Sequence, residues 1–340
     1  MRRRTLLFGF GGTVWAESTR SRRKSNLDRV TSLREWKNRR AAILEAMQSI
    51  MGRLPGSTKR CALDLRVDDE VDAGSYIRRR ISYAAEPDSR VPAFLLIPKQ
   101  ALGGEQRARA ALCLHPTDDR LGNKVVVGLG GLANRQYAAE LAQRGYVTLA
   151  PSYPLLAGYQ PDWRKLGYAS GTMKAIWDNV RGLDLLDSLP FVRSGSYGAI
   201  GHSLGGHNAI YTAVFDQRIQ SVVSSCGLDS FLDYKNGDIR GWTSDRYMPR
   251  LLDYKDRLSE IPFDFDEILA AIAPRPCLIS APLQDDNFSW ESVDRVSESA
   301  RRVYRLYGKS RNLQVIHPNT GHDFPDDARE LAYQLFDRAL

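Results

Sequence analysis

The stretch Ser196–Phe215, SYGAIGHSLGGHNAIYTAVF, decides the fold because it joins three elements in a fixed order. An apolar run that predicts a strand is followed by a G-x-S-x-G turn centred on Ser203, and a helix-compatible sequence begins at once. Gly201 and Gly205 have no Cβ where strand and helix crowd together, so the serine can occupy a strained turn with its hydroxyl exposed. The helix then directs its free N–H groups and positive dipole end toward that hydroxyl. The pattern indicates a nucleophilic serine above the end of a strand.

The composition is that of an ordinary globular protein, with 43% hydrophobic and 26% charged residues in a chain of 340. The net charge of +8 is concentrated before residue 25, so nucleic acid is not an expected partner. The four cysteines have neither metal-ligand spacing nor the density of a disulfide scaffold. We interpret them as buried free thiols, with a disulfide at Cys61 left open, and we expect no metal and no organic cofactor.

Residues 1–16 predict an export signal, the alternative being a disordered basic start. Met1–Arg4 is a charged segment, Leu6–Trp15 is a short apolar run, and Val14–Ala16 offers a small-x-small cleavage site. Arg3–Leu7 also matches a twin-arginine signal, which predicts export of the folded protein to the periplasm or beyond. No other stretch approaches the roughly 20 apolar residues of a membrane span, so stable membrane insertion is not expected.

The remaining chain divides into two predicted parts. Residues 17–74 are expected to form a linker and an N-terminal helical extension, with the helix at Leu33–Met51. Residues 75–340 alternate short apolar strands with helices, which predicts a mostly parallel central sheet flanked by helices. The arginines at 78–80 are expected on a solvated edge strand. Residues 227–263 interrupt the alternation, which predicts an inserted lid-like segment at the carboxyl ends of the strands.

A serine nucleophile needs a base, and His322 is the best placed of five histidines. It lies in a glycine-containing loop after the last predicted strand, which matches the chain order serine, acid, histidine. His202 and His207 are too near the serine along the chain to reach its hydroxyl well, and we interpret both as local packing. His115 ends a different strand, where it either braces a loop or is simply buried.

The acid that orients the base should follow the strand before last. Asp285 and Asp286 both lie in that loop, and we choose Asp285. Asp323, next to the base, is interpreted as a loop cap. Two N–H donors should stabilise an oxyanion, and Leu204 directly after the nucleophile supplies one. The second is assigned to Thr117, in the loop after the third predicted strand, since the preceding proline has no N–H.

The chain resembles the α/β-hydrolase superfamily, and more narrowly the bacterial exported acetyl xylan esterase and dienelactone hydrolase-like group. The resemblance covers roughly residues 75–340. The segments that carry it are LCLHPT (112–117), GYVTLAPSYP (145–154), MKAIWDNVRGLDLL (173–186), IGHSLGGHNA (200–209), PRPCLISAPLQDDNF (274–288) and HPNTGHDFP (317–325). The resemblance implies that the acid in the A-P-L-x-D-x-N-F run is Asp285. Dienelactone hydrolases use a cysteine where this chain has Ser203, and the G-C-S-R-x-G elbow of glucuronoyl esterases is absent.

The sequence therefore predicts a serine hydrolase of carboxylic esters, acting on acetylated sugars or plant-derived esters without a cofactor. Trp242, Arg246 and Tyr247 in the inserted segment are expected to contact substrate, with packing inside the lid as the alternative for each. One alternative function is a peptidase of the prolyl-oligopeptidase type, although the segment before Tyr76 is too short for the usual extra domain. Another is a hydrolase-like binding protein without activity. The sequence leaves the oligomeric state open.

Overall fold

The computed structural model describes residues 26–104 and 107–340, so the predicted export signal lies outside the described residues. The strands are β1 (Arg66–Asp72), β2 (Tyr76–Glu86), β3 (Ser89–Pro98), β4 (Ala108–Leu114), β5 (Val147–Pro151), β6 (Val192–His202), β7 (Ile219–Ser225), β8 (Cys277–Ser280) and β9 (Leu313–Ile316). The α-helices are α1 (Leu33–Met51), α2 (Lys99–Gly103), α3 (Tyr137–Gln143), α4 (Gly171–Ser188), α5 (Leu204–Phe215), α6 (Phe265–Ala270), α7 (Trp290–Leu306) and α8 (Asp326–Ala339). Both lists follow the chain order.

The nine strands form one sheet in the order β1-β2-β3-β5-β4-β6-β7-β8-β9. The pairs β1–β2, β2–β3 and β3–β5 are antiparallel. The other five pairs, which join β5, β4, β6, β7, β8 and β9 in that order, are parallel. Each parallel connection needs a crossover, which the intervening helices supply. The mostly parallel sheet predicted from the alternation of strands and helices is confirmed.

Helices cover both faces of the sheet. Successive side chains of a strand face opposite sides, so neighbouring residues of β4 enter different cores. Leu112 packs in a cluster with residues of α4, α5, α6 and α7, whereas Cys113 packs with residues of α3 and α8. This burial on both faces explains why the central strands are almost continuously apolar. None of the helices in the described ranges combines the length and the apolarity that a bilayer crossing requires.

The N-terminal part of the chain is more closely tied to the sheet than its sequence indicates. α1 spans the predicted range and begins with a capping box, in which Ser32 and Glu35 satisfy each other's backbone N–H groups. Leu27, inside the stretch expected to be a linker, is fully buried in a short 3₁₀-helix. The sheet itself begins at Arg66, within the predicted extension 17–74.

The arginines of β2 do not lie on an edge strand as expected, because β1 pairs with β2 and forms the edge. Arg79 lies opposite Glu70, and its Nε donates to Oε2 of that glutamate at 2.6 Å. Asp69 lies opposite Arg80 in the same ladder. Opposite charges on facing strands stabilise their pairing, and a charged outer strand resists further strand addition. The arginine triplet is thus part of a charge-matched strand pair.

Candidate active site

The predicted catalytic and oxyanion-hole residues follow the carboxyl ends of nearby strands. Thr117 follows β4, Ser203 and Leu204 follow β6, Asp285 follows β8, and His322 follows β9. Parallel strands end at the same edge of a sheet, and the crevice outside that edge is where ligands bind in open α/β sheets. The order β4-β6-β7-β8-β9 therefore gathers these loops on one side of the molecule.

The turn at Ser203 has the strained geometry that its sequence predicts. Ser203 has φ 54° and ψ −122°, an uncommon conformation for a residue with a side chain, and its N–H donates to Ser225 O at 2.8 Å. A Cβ at Gly201 would lie 2.1 Å from Gly205 O, and a Cβ at Gly205 would lie 1.9 Å from Leu114 O. Both glycines are therefore required by close backbone approach, and half-buried Ser203 lies directly before the first turn of α5.

Asp285 lies against the imidazole of His322. Its two carboxylate oxygens are 2.9 and 3.0 Å from Nδ1 of the histidine, and Oδ1 also accepts from the N–H groups of Asn287 at 2.8 Å and Phe288 at 3.2 Å. Burial raises the pKa of Asp285, but these hydrogen bonds and the imidazole outweigh it, so the pKa is lowered overall. Asp286 is exposed, and among the described residues its hydrogen bond is the one that its backbone carbonyl accepts from Lys235.

Two other histidines, His202 and His115, are buried near the predicted site residues. The His202 ring lies 4.9 Å from the His322 ring, its Nδ1 is 3.0 Å from Ser225 Oγ, and burial holds its pKa well below the ordinary value. His115 accepts the Tyr153 N–H at Nε2 (2.9 Å), so its Nδ1–H donates to Pro116 O (2.8 Å), and burial lowers its pKa to about 4. His202 thus packs beside His322, and His115 braces the loop after β4.

The loop after β4 lies beside the elbow. The close approach of Gly205 to the carbonyls of Leu114 and His115 fixes that loop against the first turn of α5. Leu204 is buried at the start of this helix, whereas Thr117 is exposed. Thr117 Oγ1 is 3.3 Å from the hydroxyl of Tyr247, so the loop after β4 also contacts the inserted segment.

Residues 227–263, the predicted insertion, form four short 3₁₀-helices around an aromatic cluster. Trp242 is 3% exposed and lies at the centre of this cluster, with ring contacts to His207 at 5.0 Å and Phe288 at 6.1 Å. Its indole N–H has no hydrogen-bond partner within the described residues. Tyr247 lies at the edge of the cluster, and Arg246 pairs with Asp119 at 2.6 Å. Trp242 thus packs inside segment 227–263, while Tyr247 and Arg246 contact the loop that contains Thr117.

A polar clamp behind His322 has no signature in the sequence. Buried Arg135 forms an ion pair with Asp323 and donates to the backbone carbonyl of His322 at 3.0 Å. Asn134 Nδ2 donates to the same Asp323 carboxylate at 2.5 Å. Asp323 is therefore an ion-pair partner and not only the loop cap that we expected. The clamp fixes the backbone of His322 from a loop nearly two hundred residues away in the chain.

Two further groups lie close to Asp285. Cys226 has φ 49°, and one ligand atom from each of Cys226, Asp285 and His322 lies within 4.8 Å of the others. Among the described residues, these three could together hold a metal ion, but binding it would break the hydrogen bond between Asp285 and His322.

Asp229 is buried and accepts a hydrogen bond from the Ser289 N–H at 3.2 Å. Burial, together with nearby carboxylates, raises the pKa of Asp229 to about 8.

No protein-family model matches the chain. A curated relative, the Bacillus subtilis protein named "Putative hydrolase YtaP", is 27% identical over 250 residues, covering 68% of this chain and 78% of that protein. A glucuronoyl esterase from Solibacter usitatus superposes with a TM-score of 0.72 at 20% identity, covering 91% of this chain and 94% of that one. An acetyl xylan esterase from Paenibacillus sp. R4 superposes with a TM-score of 0.56 at 16% identity, covering 90% and 94%.

A promiscuous esterase from a marine bacterial metagenome gives a TM-score of 0.71 at 17% identity, and covers 92% of this chain and 94% of its own. These structures share the central sheet and its helical layers with this chain at low sequence identity. Together with the strand order, the strained serine turn and the acid–histidine pair, they lead to one structural conclusion. The chain has the α/β-hydrolase fold, in the form that carbohydrate esterases also adopt.

Proposed function

We propose that the protein hydrolyses carboxylic esters through an acyl-enzyme. Ser203 Oγ attacks the ester carbonyl carbon, and Nε2 of His322 takes the hydroxyl proton. The same proton then passes to the departing alkoxide, so the alcohol leaves neutral and the acyl group stays on the serine. A water molecule, deprotonated by His322, releases the acid and restores the hydroxyl. Asp285 stabilises the imidazolium in both halves, and the N–H groups of Leu204 and Thr117 stabilise the oxyanion.

The observation that carries this proposal is the contact of the Asp285 carboxylate with Nδ1 of His322 at 2.9 and 3.0 Å. A carboxylate at Nδ1 keeps the proton on that nitrogen, so Nε2 is free to accept one from a serine. The strained backbone at Ser203 is the second support, because residues in such unfavourable conformations are concentrated at active sites and ligand-binding positions. A binding protein without activity would have no need of either feature.

The proposed substrates are acetylated sugars or other plant-derived esters. The support is the likeness of the fold to esterases whose names specify glucuronoyl and acetyl xylan substrates. Tyr247 and Arg246 are the proposed substrate contacts, since they lie beside the loop containing Thr117. Trp242 is proposed to act through the packing of the lid.

A panel of acetyl, feruloyl and p-nitrophenyl esters tests the proposal, with Ser203→Ala as the matched variant. We expect turnover on at least one ester, loss of that turnover in the variant, and labelling of the wild-type protein by a fluorophosphonate probe. Aminoacyl-amide hydrolysis at rates equal to the esters would favour a peptidase instead. Absence of both labelling and ester turnover would leave a hydrolase-like binding protein.

We also propose that residues 1–16 direct export through the twin-arginine route. The support is the order of charged start, apolar run and cleavage site in the sequence. Replacing Arg3 and Arg4 by lysine should leave the protein inside the cell, and N-terminal sequencing of the exported form should begin near residue 17. Export that persists in the lysine variant would argue against the twin-arginine route.

A further inference from the structure

A cavity of about 720 Å³ lies at the end of the sheet opposite Ser203. One wall is α1, from Leu33 to Leu44, and the other is formed by residues at or just before the amino ends of β7 and β8. Ser203, in contrast, follows the carboxyl end of the neighbouring strand β6. α5 begins directly after Ser203, and its 12 residues span about 18 Å. The cavity is therefore separated from the proposed active site by the length of that helix.

Three cations line this cavity without an acidic partner. Lys37, Arg40 and Arg275 belong to the lining, which includes neither aspartate nor glutamate among the described residues. The hydrogen bonds of both arginines go to backbone carbonyls, and none of the three cations forms an ion pair in the part of the chain that the structure describes. Asp216 lies near Arg275, but its carboxylate pairs with Arg218 at 2.6 Å. The cavity therefore has an excess of positive charge.

Part of this charge is used at the ends of two helices. Arg40 donates from Nε to Ala271 O at 3.2 Å and from Nη2 to Val214 O at 2.9 Å, at the ends of α6 and α5. Arg275 donates to another carbonyl in the last turn of α5. A helix end carries about half a negative charge at most, so two helix ends do not balance three cations. Arg40 uses two of its five N–H donors in these bonds, so three have no partner among the described residues.

The two arginines also lie close to each other. Burial, together with the positive charge of nearby Arg40, lowers the pKa of Arg275 to about 10, and burial lowers the pKa of Arg40 as well. Both groups stay protonated at neutral pH, so two like charges share a partly buried setting. An anion in the cavity would stabilise both charged forms, because a nearby opposite charge favours ionisation.

The rest of the lining adds a donor and apolar surface. Trp36 is 1% exposed, and its indole N–H has no hydrogen-bond partner within the described residues. An indole is a donor only, so this side chain also favours a ligand with acceptor atoms. Leu33 is 44% exposed and Leu44 is half-buried, so apolar surface borders the cations along α1. The cavity thus combines positive charge and N–H donors with apolar walls.

We propose that this cavity binds a small organic carboxylate. The acid group lies between Arg40 and Lys37, and the apolar part lies against Leu33. The free hydrogens of a guanidinium form a planar fork that matches the two oxygens of a carboxylate. Inorganic phosphate would satisfy the charge but leave the apolar walls in water, so it should bind more weakly. The site lies apart from the proposed ester hydrolysis and does not depend on it.

Ligand-observed NMR titrations at constant ionic strength test the proposal with three probes: benzoate, its neutral analogue benzamide, and inorganic phosphate. Each probe is titrated against the wild type, Lys37→Gln, Arg40→Gln and Arg250→Gln. Exposed Arg250 is the matched control, because it also donates to a backbone carbonyl, Ser49 O at 2.8 Å, but lies outside the cavity.

The wild type should bind benzoate at least about fivefold more tightly than either of the other probes, because only benzoate has both the charge and the apolar ring. The affinity for benzoate should fall by at least about tenfold in Arg40→Gln, as expected for a lost charge-assisted hydrogen bond. It should fall about two- to fivefold in Lys37→Gln, as expected for an exposed charge. In Arg250→Gln it should stay within about twofold of the wild type.

Lys37→Gln keeps the test decisive if Arg40→Gln does not fold, since Lys37 is exposed and the fold does not depend on it. The proposal is overturned if the wild type does not bind benzoate, or if benzamide or phosphate binds as tightly. It is also overturned if benzoate keeps its full affinity in Lys37→Gln and Arg40→Gln, as it would when bound at Ser203. An equal loss in Arg250→Gln would show a general effect of net charge and would likewise refute a site in this cavity.

Discussion

Replacement of Asp285 by asparagine should remove most of the activity while leaving the fold intact. The asparagine oxygen can still accept the N–H groups of Asn287 and Phe288, which now donate to Oδ1 of the aspartate at 2.8 and 3.2 Å. The amide NH₂ would then face Nδ1 of His322 and donate to it. That forces the proton of the neutral imidazole onto Nε2, where it blocks the uptake of a proton from Ser203.

The size of the loss follows from the contact distance. Nδ1 of His322 lies 2.9 Å from the carboxylate. At an effective dielectric constant of about 20, an imidazolium and a carboxylate at that distance attract each other by about 6 kcal/mol. Each 1.36 kcal/mol corresponds to about a tenfold change in rate, so the upper limit is about 10⁴-fold in kcat. His322 is 26% exposed, and water screening brings the expected loss to between about 10³- and 10⁴-fold.

The assay is steady-state hydrolysis of the best ester from the panel, with Asp286→Asn as the matched control. Asp286 is exposed and lies one residue away, so its variant should keep more than half of the wild-type kcat. Thermal unfolding of both variants checks that the fold is retained. If Asp285→Asn keeps a tenth or more of the activity while Asp286→Asn is inactive, the assignment of the acid is wrong.

Three other perturbations test the packing around the site. Gly205→Ala should lower the free energy of unfolding in denaturant by at least about 3 kcal/mol, because the new Cβ would meet Leu114 O at 1.9 Å. The control Gly158→Ala places its Cβ in open space, so it should change that free energy by less than about 1 kcal/mol. Asp229 has a pKa of about 8 in the fold, so the folded state keeps a proton that the unfolded chain loses above about pH 4, and stability should fall as pH rises from about 4 to 8. Asp229→Asn should reduce the difference in Tm between pH 5 and pH 8, and an unchanged difference would show that other groups cause it. Trp242→Phe should cost about 1–2 kcal/mol, because it removes part of a buried ring but an indole N–H that has no partner in the described residues. Trp242→Ala should cost about 3–5 kcal/mol, and equal losses would contradict that account.

The parts of the fold that sequence could predict are those with a local physical cause. The elbow can be recognised because the backbone approaches positions 201 and 205 so closely that only glycine, which has no Cβ, fits there. The parallel sheet follows from apolar strands alternating with helices. Once the sheet is assigned, the rule that loops gather at the carboxyl edge brings the segments of Ser203 and His322 to the same side.

The features that sequence did not predict depend on contacts between distant segments. β1 is exposed at every position, so it has no alternation of apolar and polar residues to identify it as a strand. Arg135 is one of many arginines, and nothing nearby in the chain indicates that it binds the carbonyl of His322. Trp242 was ambiguous for a different reason, because an aromatic residue suits both a substrate contact and the packing of a lid.

The choice between Asp285 and Asp286 shows how a local signal can decide a long-range contact. Asp285 Oδ1 accepts from the N–H groups two and three residues ahead, at Asn287 and Phe288, which is the pattern of an aspartate that caps its own turn. This holds the carboxylate in one orientation before any contact with His322 is made, and it removes rotamer freedom that the imidazole would otherwise have to restrict. Asp286 lies on the exposed side of the same turn. The turn therefore orients the Asp285 carboxylate toward His322 and directs Asp286 to solvent, so the local backbone supplies the order that the contact with His322 needs.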